Sequence, residues 1–228
     1  ENISIVDFEN FGNQKIILHN KGVTFLNSNQ ENPKTISLLD FKNYELNFLK
    51  KNKNVIRKQG LESRDFELNF DITANGIEFY EMVKHKETFW IGSNIGIFEI
   101  NDEAKIIHYI PKHSLKIGFT YNDKFIETIT YAGARLYDNV HSLESKHFSK
   151  FEKKTPQFVV KILTNRDKTY LLSVFNGLYV FKNNQFNSYL AEGIWKEKKF
   201  KHITVNDKGQ LILAAEFGDR KSTRLNSS

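Results

Sequence analysis

The segment FVVKILTNRDKTYLLSVFNGLYVF, residues 158–181, alternates apolar and polar positions in short runs separated by a polar turn and a glycine. A period of two is typical of β-strands that bury one face, whereas an amphipathic helix needs apolar residues at i, i+3, i+4 and i+7. The turn at 165–168, NRDK, suits a tight hairpin, and Gly177 accepts a left-handed backbone that β-branched residues avoid. The segment therefore predicts three consecutive antiparallel strands.

The same plan recurs along the chain. Its other clear copies are FYEMVKHKETFWIGSNIGIFEI at 79–100 and LKIGFTYNDKFIETITYAGARLY at 115–137, and further copies begin at residues 3 and 200. The glycines before the third strand stand at Gly96, Gly133, Gly177 and Gly218, and Gly22 precedes Gly96 by two units. One unit is therefore about 40 residues long, and such a period with several short strands is typical of propeller blades.

We therefore predict an all-β chain, an incomplete β-propeller of about five and a half four-stranded blades. The blades are expected at 1–40, 41–72, 73–111, 112–152 and 153–192, with a partial blade at 198–218. The copy in 41–72 departs most from the pattern. Residues 219–228, DRKSTRLNSS, are what a common sequencing adapter would encode, so we expect this tail to be an artefact and not native sequence.

Composition narrows the classes of function. The chain is 39% hydrophobic and 14% aromatic, which is enough to bury a core, and it has no cysteine, which excludes disulfides and thiolate chemistry. The net charge of +6 falls to +4 without the tail, and the lysines are scattered through turns. We therefore expect no nucleic-acid partner and no membrane contact by this segment.

Motifs that carry catalysis or bind cofactors are not found in the sequence. It contains no phosphate-binding loop, no G-x-S-x-G nucleophile motif and no Gly-Gly pair. Its seven histidines do not form H-E-x-x-H or H-x-H pairs, and His141 and His147 lie near Glu144 in an irregular stretch. These observations favour a chain that is not an enzyme and has no metal or other cofactor.

Three segments resemble the two-component regulator propeller repeat: WIGSNIGIF at 90–98, SVFNGLYVF at 173–181 and ITVNDKGQLI at 203–212. Only the first retains the W-I-G-S of that repeat. The resemblance implies the extracytoplasmic, periplasmic sensor region of bacterial histidine kinases and hybrid two-component proteins. It also implies that the neighbouring domains of the parent sensor are partners, and that a β-sandwich, a membrane helix and a signalling output would follow.

Equivalent loops of successive blades fall on one face of a propeller, so the loops before the repeat glycines are expected to form a shared binding surface. Aromatic, amide and charged side chains suit a carbohydrate or a peptide. The candidate binding residues are His19, Asn20, Lys21, Ser93, Asn94, Tyr131, Phe175, Asn176, Glu216 and Phe217. The alternative is that Phe175 and Phe217 pack between blades while the polar residues cap turns.

The sequence thus predicts a non-catalytic propeller segment that recognises a ligand or a protein in a bacterial signal-transduction sensor. Two alternatives stay open. One is a general scaffold propeller that binds protein partners, although no Trp-Asp dipeptide ends any repeat. The other is a carbohydrate-active enzyme on a propeller, which convergent carboxylates in the central channel would favour.

Overall fold

The computed structural model describes residues 2–27, 32–58, 76–112, 116–129, 133–140, 155–190, 199–206 and 208–216, with only the backbone described at 53–58, 129 and 190. The chain divides into two compact units, Glu1–Leu115 and Lys116–Ser228.

In its described residues, the first unit holds two antiparallel four-stranded sheets and one helix, and each sheet is a simple meander. The first sheet consists of β1 (Ile5–Phe11), β2 (Gln14–His19), β3 (Gly22–Asn27) and β4 (Lys34–Ser37). It is followed by α1 (Leu38–Lys58). The second sheet consists of β5 (Phe79–His85), β6 (Thr88–Ser93), β7 (Ile97–Asn101) and β8 (Ile106–Ile110).

The second unit holds three further antiparallel sheets. A three-stranded sheet consists of β9 (Lys116–Phe119), β10 (Phe125–Ile129) and β11 (Gly133–Tyr137). A four-stranded sheet consists of β12 (Val159–Asn165), β13 (Lys168–Ser173), β14 (Gly177–Lys182) and β15 (Gln185–Leu190). A two-stranded sheet consists of β16 (Phe200–Val205) and β17 (Leu211–Ala215).

The chain is mostly β and has the propeller-like succession of antiparallel sheets that the repeat predicted. Among the described residues, the number of blades is lower than expected. In the described part of the chain, four sheets have the size of a blade, three with four strands and one with three, and the fifth has two strands.

The difference lies mainly at 41–72, where strands of a second blade were predicted and α1 begins at Leu38 instead. That prediction was wrong for the described part of the interval; the rest of it, from 59 onward, lies outside the described residues. A capping box explains the helix: the Asp40 carboxylate accepts from the Ser37 N–H (2.8 Å) and hydroxyl (2.7 Å), and the Asp40 N–H donates to Ser37 Oγ (3.3 Å). Behind this cap, Phe41, Glu45 and Leu49 recur at every fourth position and are buried.

Sheets pack face to face within each unit. In the first unit, Met82, Phe89 and Ile91 lie in one core with residues of the preceding sheet, Ile16, Leu18, Val23 and Phe25. In the second unit, the equivalent positions of β12 and β13, Ile162 and Leu171, lie in one core with Ile126 and Leu136. The same repeat positions therefore bury the same face, which is how a blade that cannot cover itself becomes stable.

Trp90 lies mid-strand on β6 and is 3% exposed. The repeat glycines have a steric reason as well. A Cβ at Gly22 would lie 2.0 Å from the Ile36 carbonyl oxygen, and one at Gly96 would lie 2.5 Å from that of Ile110. The fourth strand of each sheet thus approaches too closely for any side chain at these two positions.

Candidate functional site

Two asparagines of the predicted surface bind the backbone just before the first strand of their own sheets, and we call that short segment the strand entry. Asn20 Oδ1 accepts from the Ser4 N–H (2.9 Å) and Nδ2 donates to the Asn2 carbonyl (3.3 Å). Asn94 makes the same pair of bonds in the second sheet, from the Glu78 N–H (3.0 Å) and to the Gly76 carbonyl (3.2 Å). Each asparagine thus extends the pairing beyond the first strand, and we call the arrangement the asparagine clamp.

The residue before each clamp closes the turn between the second and third strands. Ser93 Oγ donates to the Gly96 carbonyl (2.7 Å) and accepts from the Gly96 N–H (3.1 Å). His19 occupies the equivalent position: its Nδ1 accepts from the Lys21 N–H (3.2 Å), so Nε2 carries the proton toward Thr24 Oγ1 (2.9 Å). Burial lowers the pKa of His19, in keeping with a neutral ring.

In the first unit, therefore, the side chains of His19, Asn20, Ser93 and Asn94 bond to turns and strand ends of their own sheets. His19, Ser93 and Asn94 are buried, whereas Asn20 is exposed with its amide engaged. Lys21 is half-buried, and its carbonyl accepts from the Leu38 N–H (3.1 Å), where α1 begins.

The second unit departs from this pattern at its four-stranded sheet. The loop from Ser173 to Gly177 is one residue longer than the loop from Ser93 to Gly96, and Val174 stands where the clamp asparagine would be. Ser173 Oγ accepts from the Asn176 N–H (3.1 Å), so Asn176 takes part in closing this turn. The additional residue leaves Phe175 standing out of the loop, 54% exposed.

Phe175 packs edge to face on Phe158, with ring centroids 5.3 Å apart, and we call these two rings the aromatic pair. Phe158 has a left-handed backbone, φ 52°, which costs a non-glycine residue about 1 kcal/mol or more. Ser4 and Glu78 occupy the equivalent position before β1 and β5, and neither has a positive φ. Phe175 thus packs on Phe158, the residue before β12, and Phe158 has a positive φ that Ser4 and Glu78 of the first unit do not have.

A group of charged side chains lies on or next to the strands that follow the aromatic pair in the chain. The Phe200 N–H donates to the Val174 carbonyl (3.2 Å), which brings the start of β16 next to the Phe175 loop. Glu216 is paired with Lys201 (3.2 Å) and with Lys199 (3.8 Å), and all three side chains are at least one-third exposed. These three residues form the ion triad; Glu216 was predicted as a site residue, whereas Phe158, Lys199 and Lys201 were not.

A buried carboxylate in the second unit was also missed. Glu127 is fully buried on β10; it accepts from Tyr137 Oη (2.5 Å), and Arg135 Nη1 lies 3.5 Å away. Burial, followed by the charge of Glu127, raises the pKa of Tyr137. The register pairs Glu127 with Arg135 across β10 and β11, so the alternation of the two strands could have shown that this acid has an internal partner.

Tyr131 and Phe217 lie outside the described residues, as do Trp195, His141 and His147. Within the described part of the chain, no group of three or more histidine or carboxylate side chains is arranged to hold a metal ion. The one described helix lacks the apolar length that crossing a bilayer requires.

No protein-family model and no curated protein matches this sequence. Solved structures do resemble its fold. A catalytically inactive virginiamycin B lyase from Staphylococcus aureus with quinupristin has a TM-score of 0.60 and 9% identity, over 99% of this chain and 70% of that one. The extracellular domain of the putative hybrid two-component system BT3049 from B. thetaiotaomicron has a TM-score of 0.53 and 12% identity, over 99% of this chain and 30% of that one.

A third neighbour is YCF48 bound to D1 peptide, with a TM-score of 0.53 and 7% identity, over 93% of this chain and 61% of that one. The chain therefore spans less than a third of the two-component protein's chain. At these identities the likeness establishes the propeller fold and leaves the activity to the residues.

Proposed function

We propose that this chain is the recognition propeller segment of an extracytoplasmic bacterial sensor, and that the aromatic pair contacts the ligand. The observation that carries the proposal is the departure of the Phe175 loop from the repeat. In the two sheets of the first unit, the loop residues form the clamps and close the turns. The Phe175 loop, by contrast, is longer and exposes an aromatic ring. Exposed aromatics with backbone strain are typical of binding surfaces, because folding alone does not favour them.

The ion triad defines the polar side of this surface. Its two ammonium groups share one carboxylate, so hydrogen-bond donors remain for an incoming oxygen. A flat apolar face on Phe175, together with donors at the strand that is hydrogen-bonded to its loop, suits a sugar ring or an apolar peptide side chain followed by a carbonyl or carboxylate. We therefore propose a carbohydrate or peptide ligand and a non-catalytic role, with the neighbouring domains of the parent sensor receiving the signal.

The lyase neighbour shows that this fold also carries catalysis, so the proposal rests on the residues and not on the fold. The sensor neighbour supports an extracytoplasmic location, since it is an extracellular domain of a two-component system.

The test is binding to an array of defined oligosaccharides and peptides, followed by titration of the best hit against the wild type and Phe175→Ala. Loss of a central aromatic contact should weaken binding at least about tenfold. The matched control is Phe8→Ala, which removes an equally large ring, 67% exposed, from β1. Unchanged affinity for Phe175→Ala would remove the aromatic pair from the site, and turnover of the bound oligosaccharide or peptide would overturn the non-catalytic role.

A further inference from the structure

The helix α1 is held on the second sheet of the first unit by aromatic contacts. The Phe41 ring packs edge to face on Phe79 and on Phe98, each at a centroid distance of 4.9 Å. About two turns later along the helix, Phe48 packs on Tyr109 of β8 at 5.3 Å. Phe41 is fully buried, so in the docked arrangement the helix contributes to the core of this unit.

A carboxylic acid lies in the middle of this apolar contact. Glu45 is 0% exposed and faces the same side of α1 as Phe41 and Phe48. Its Oε1 lies 3.4 Å from Tyr109 Oη, at the long end of a hydrogen bond, and its Oε2 is buried with no hydrogen-bond partner among the described residues. Tyr109 has one hydroxyl hydrogen, and its shorter bond, 2.7 Å, goes to the Ile95 carbonyl.

This environment favours the protonated acid. Burial raises the pKa of Glu45 to about 7, and the hydrogen bond from Tyr109 and the charge of Lys42 only partly oppose it. Among the neighbouring charged groups, Glu99 of β7 acts on Tyr44 of α1 and is not a cause of the shift at Glu45. An ionised Glu45 would therefore be a buried charge that lacks adequate donors.

We propose that α1 is a pH-sensitive lid over β8 and the β6–β7 loop, docked while Glu45 is protonated and released when Glu45 ionises. The atoms under the lid are those of Tyr109 and Ile95, both fully buried. Ile95 lies in the loop between Ser93 and Gly96, which the sequence marked as part of a binding surface, so release of α1 would expose a surface that the docked state covers. This inference does not depend on the aromatic pair.

The direction of the effect follows from the two states. Released from the sheet, Glu45 has its ordinary pKa of 4.5, whereas docking raises that pKa to about 7. The docked state thus binds the proton more tightly, and docking is fully favoured below pH 4.5. That advantage is lost as the pH rises from 4.5 through 7. Burial lowers the pKa of His19 in the same unit, so its protonation destabilises the fold in acid and acts in the opposite direction.

The test is hydrogen exchange of the α1 amides between pH 5 and pH 8, corrected for the intrinsic rate at each pH. In the wild type, linkage predicts that α1 protection falls roughly tenfold to a hundredfold over this range, with most of the fall below pH 7 and little further change above it. The amides of β13, in the other unit, provide the internal reference. Protection of α1 that stays constant from pH 5 to pH 8 would overturn the proposal.

The variant that isolates the cause is Glu45→Gln, which keeps the shape and cannot ionise. Its α1 protection should stay at the acid level at pH 8. Glu87→Gln, in the exposed turn between β5 and β6, is the control and should keep the wild-type pH dependence. If Glu45→Gln folds and retains that dependence, another group is responsible; if it does not fold, the wild-type titration still decides between a lid and a permanently packed helix.

Discussion

The asparagine clamp offers an internal comparison, because the described part of the chain contains it twice with the same bonds and different exposure. Asn94 is 8% exposed, whereas Asn20 is exposed. Replacing either residue by alanine removes the side-chain amide. One backbone N–H then loses its acceptor and one backbone carbonyl loses its donor. The backbone bond from each residue's own N–H, to Glu78 or to Ser4, is retained in both variants (3.0 Å in each).

The size of the effect follows from what replaces the lost bonds. An intramolecular hydrogen bond contributes about 1 kcal/mol net, and a group left without a partner away from water costs about 1–3 kcal/mol. Two bonds at a partly buried site place Asn94→Ala at about 2 kcal/mol of lost stability. Water can reach the groups that Asn20→Ala frees, so that variant should lose only about 0.5 kcal/mol. Asn94→Asp keeps the acceptor, loses the donor and should fall between these values.

Urea unfolding followed by Trp90 fluorescence measures the difference in the correct unit. Trp90 is buried on β6 of the same sheet, and a Trp195→Phe background leaves it as the single tryptophan. With a slope of about 2 kcal/mol/M, Asn94→Ala should lower the midpoint by about 1 M and leave the slope unchanged. If Asn20→Ala lowers the midpoint as much as Asn94→Ala, burial does not determine how much the clamp contributes to the free energy of unfolding, and the prediction is refuted.

Two further substitutions test the packing of each unit. Gly96→Ala places a Cβ 2.5 Å from the Ile110 carbonyl oxygen, so it should lower the free energy of unfolding in urea by at least about 3 kcal/mol. Gly12 has open space around it, so Gly12→Ala should lower it by only about 1 kcal/mol, because of its φ of 56°. Tyr137→Phe removes the hydroxyl that donates to the buried Glu127 at 2.5 Å and should lower the free energy of unfolding by about 2 kcal/mol at pH 7. A change below about 0.5 kcal/mol, as for an ordinary surface substitution, would show that the other contacts of Glu127 are enough to stabilise its carboxylate.

The strands were predictable from the sequence because one covered face imposes a period of two, and this signal is local. The helix was predictable in principle from Ser37, Asp40 and the spacing of Phe41, Glu45 and Leu49. The prediction of a blade at 41–72 followed from the regular repeat, because a constant period of about 40 residues implies a blade in every such interval. The signals of the helix were therefore not recognised. A capping box is confined to the first turn of its helix, but here it is the stronger local signal.

The sequence by itself determined the class of fold, the succession of antiparallel strands and the loops in which an unusual residue would stand out. The tertiary structure decided which of those loop residues are available. Asn94 and Phe175 occupy comparable loops. The Asn94 side chain is hydrogen-bonded to the backbone before β5, whereas the Phe175 ring is exposed. The physical reason is that a side chain's partners come from residues distant in sequence, as Glu45 with Tyr109 also shows, and periodicity carries no information about them.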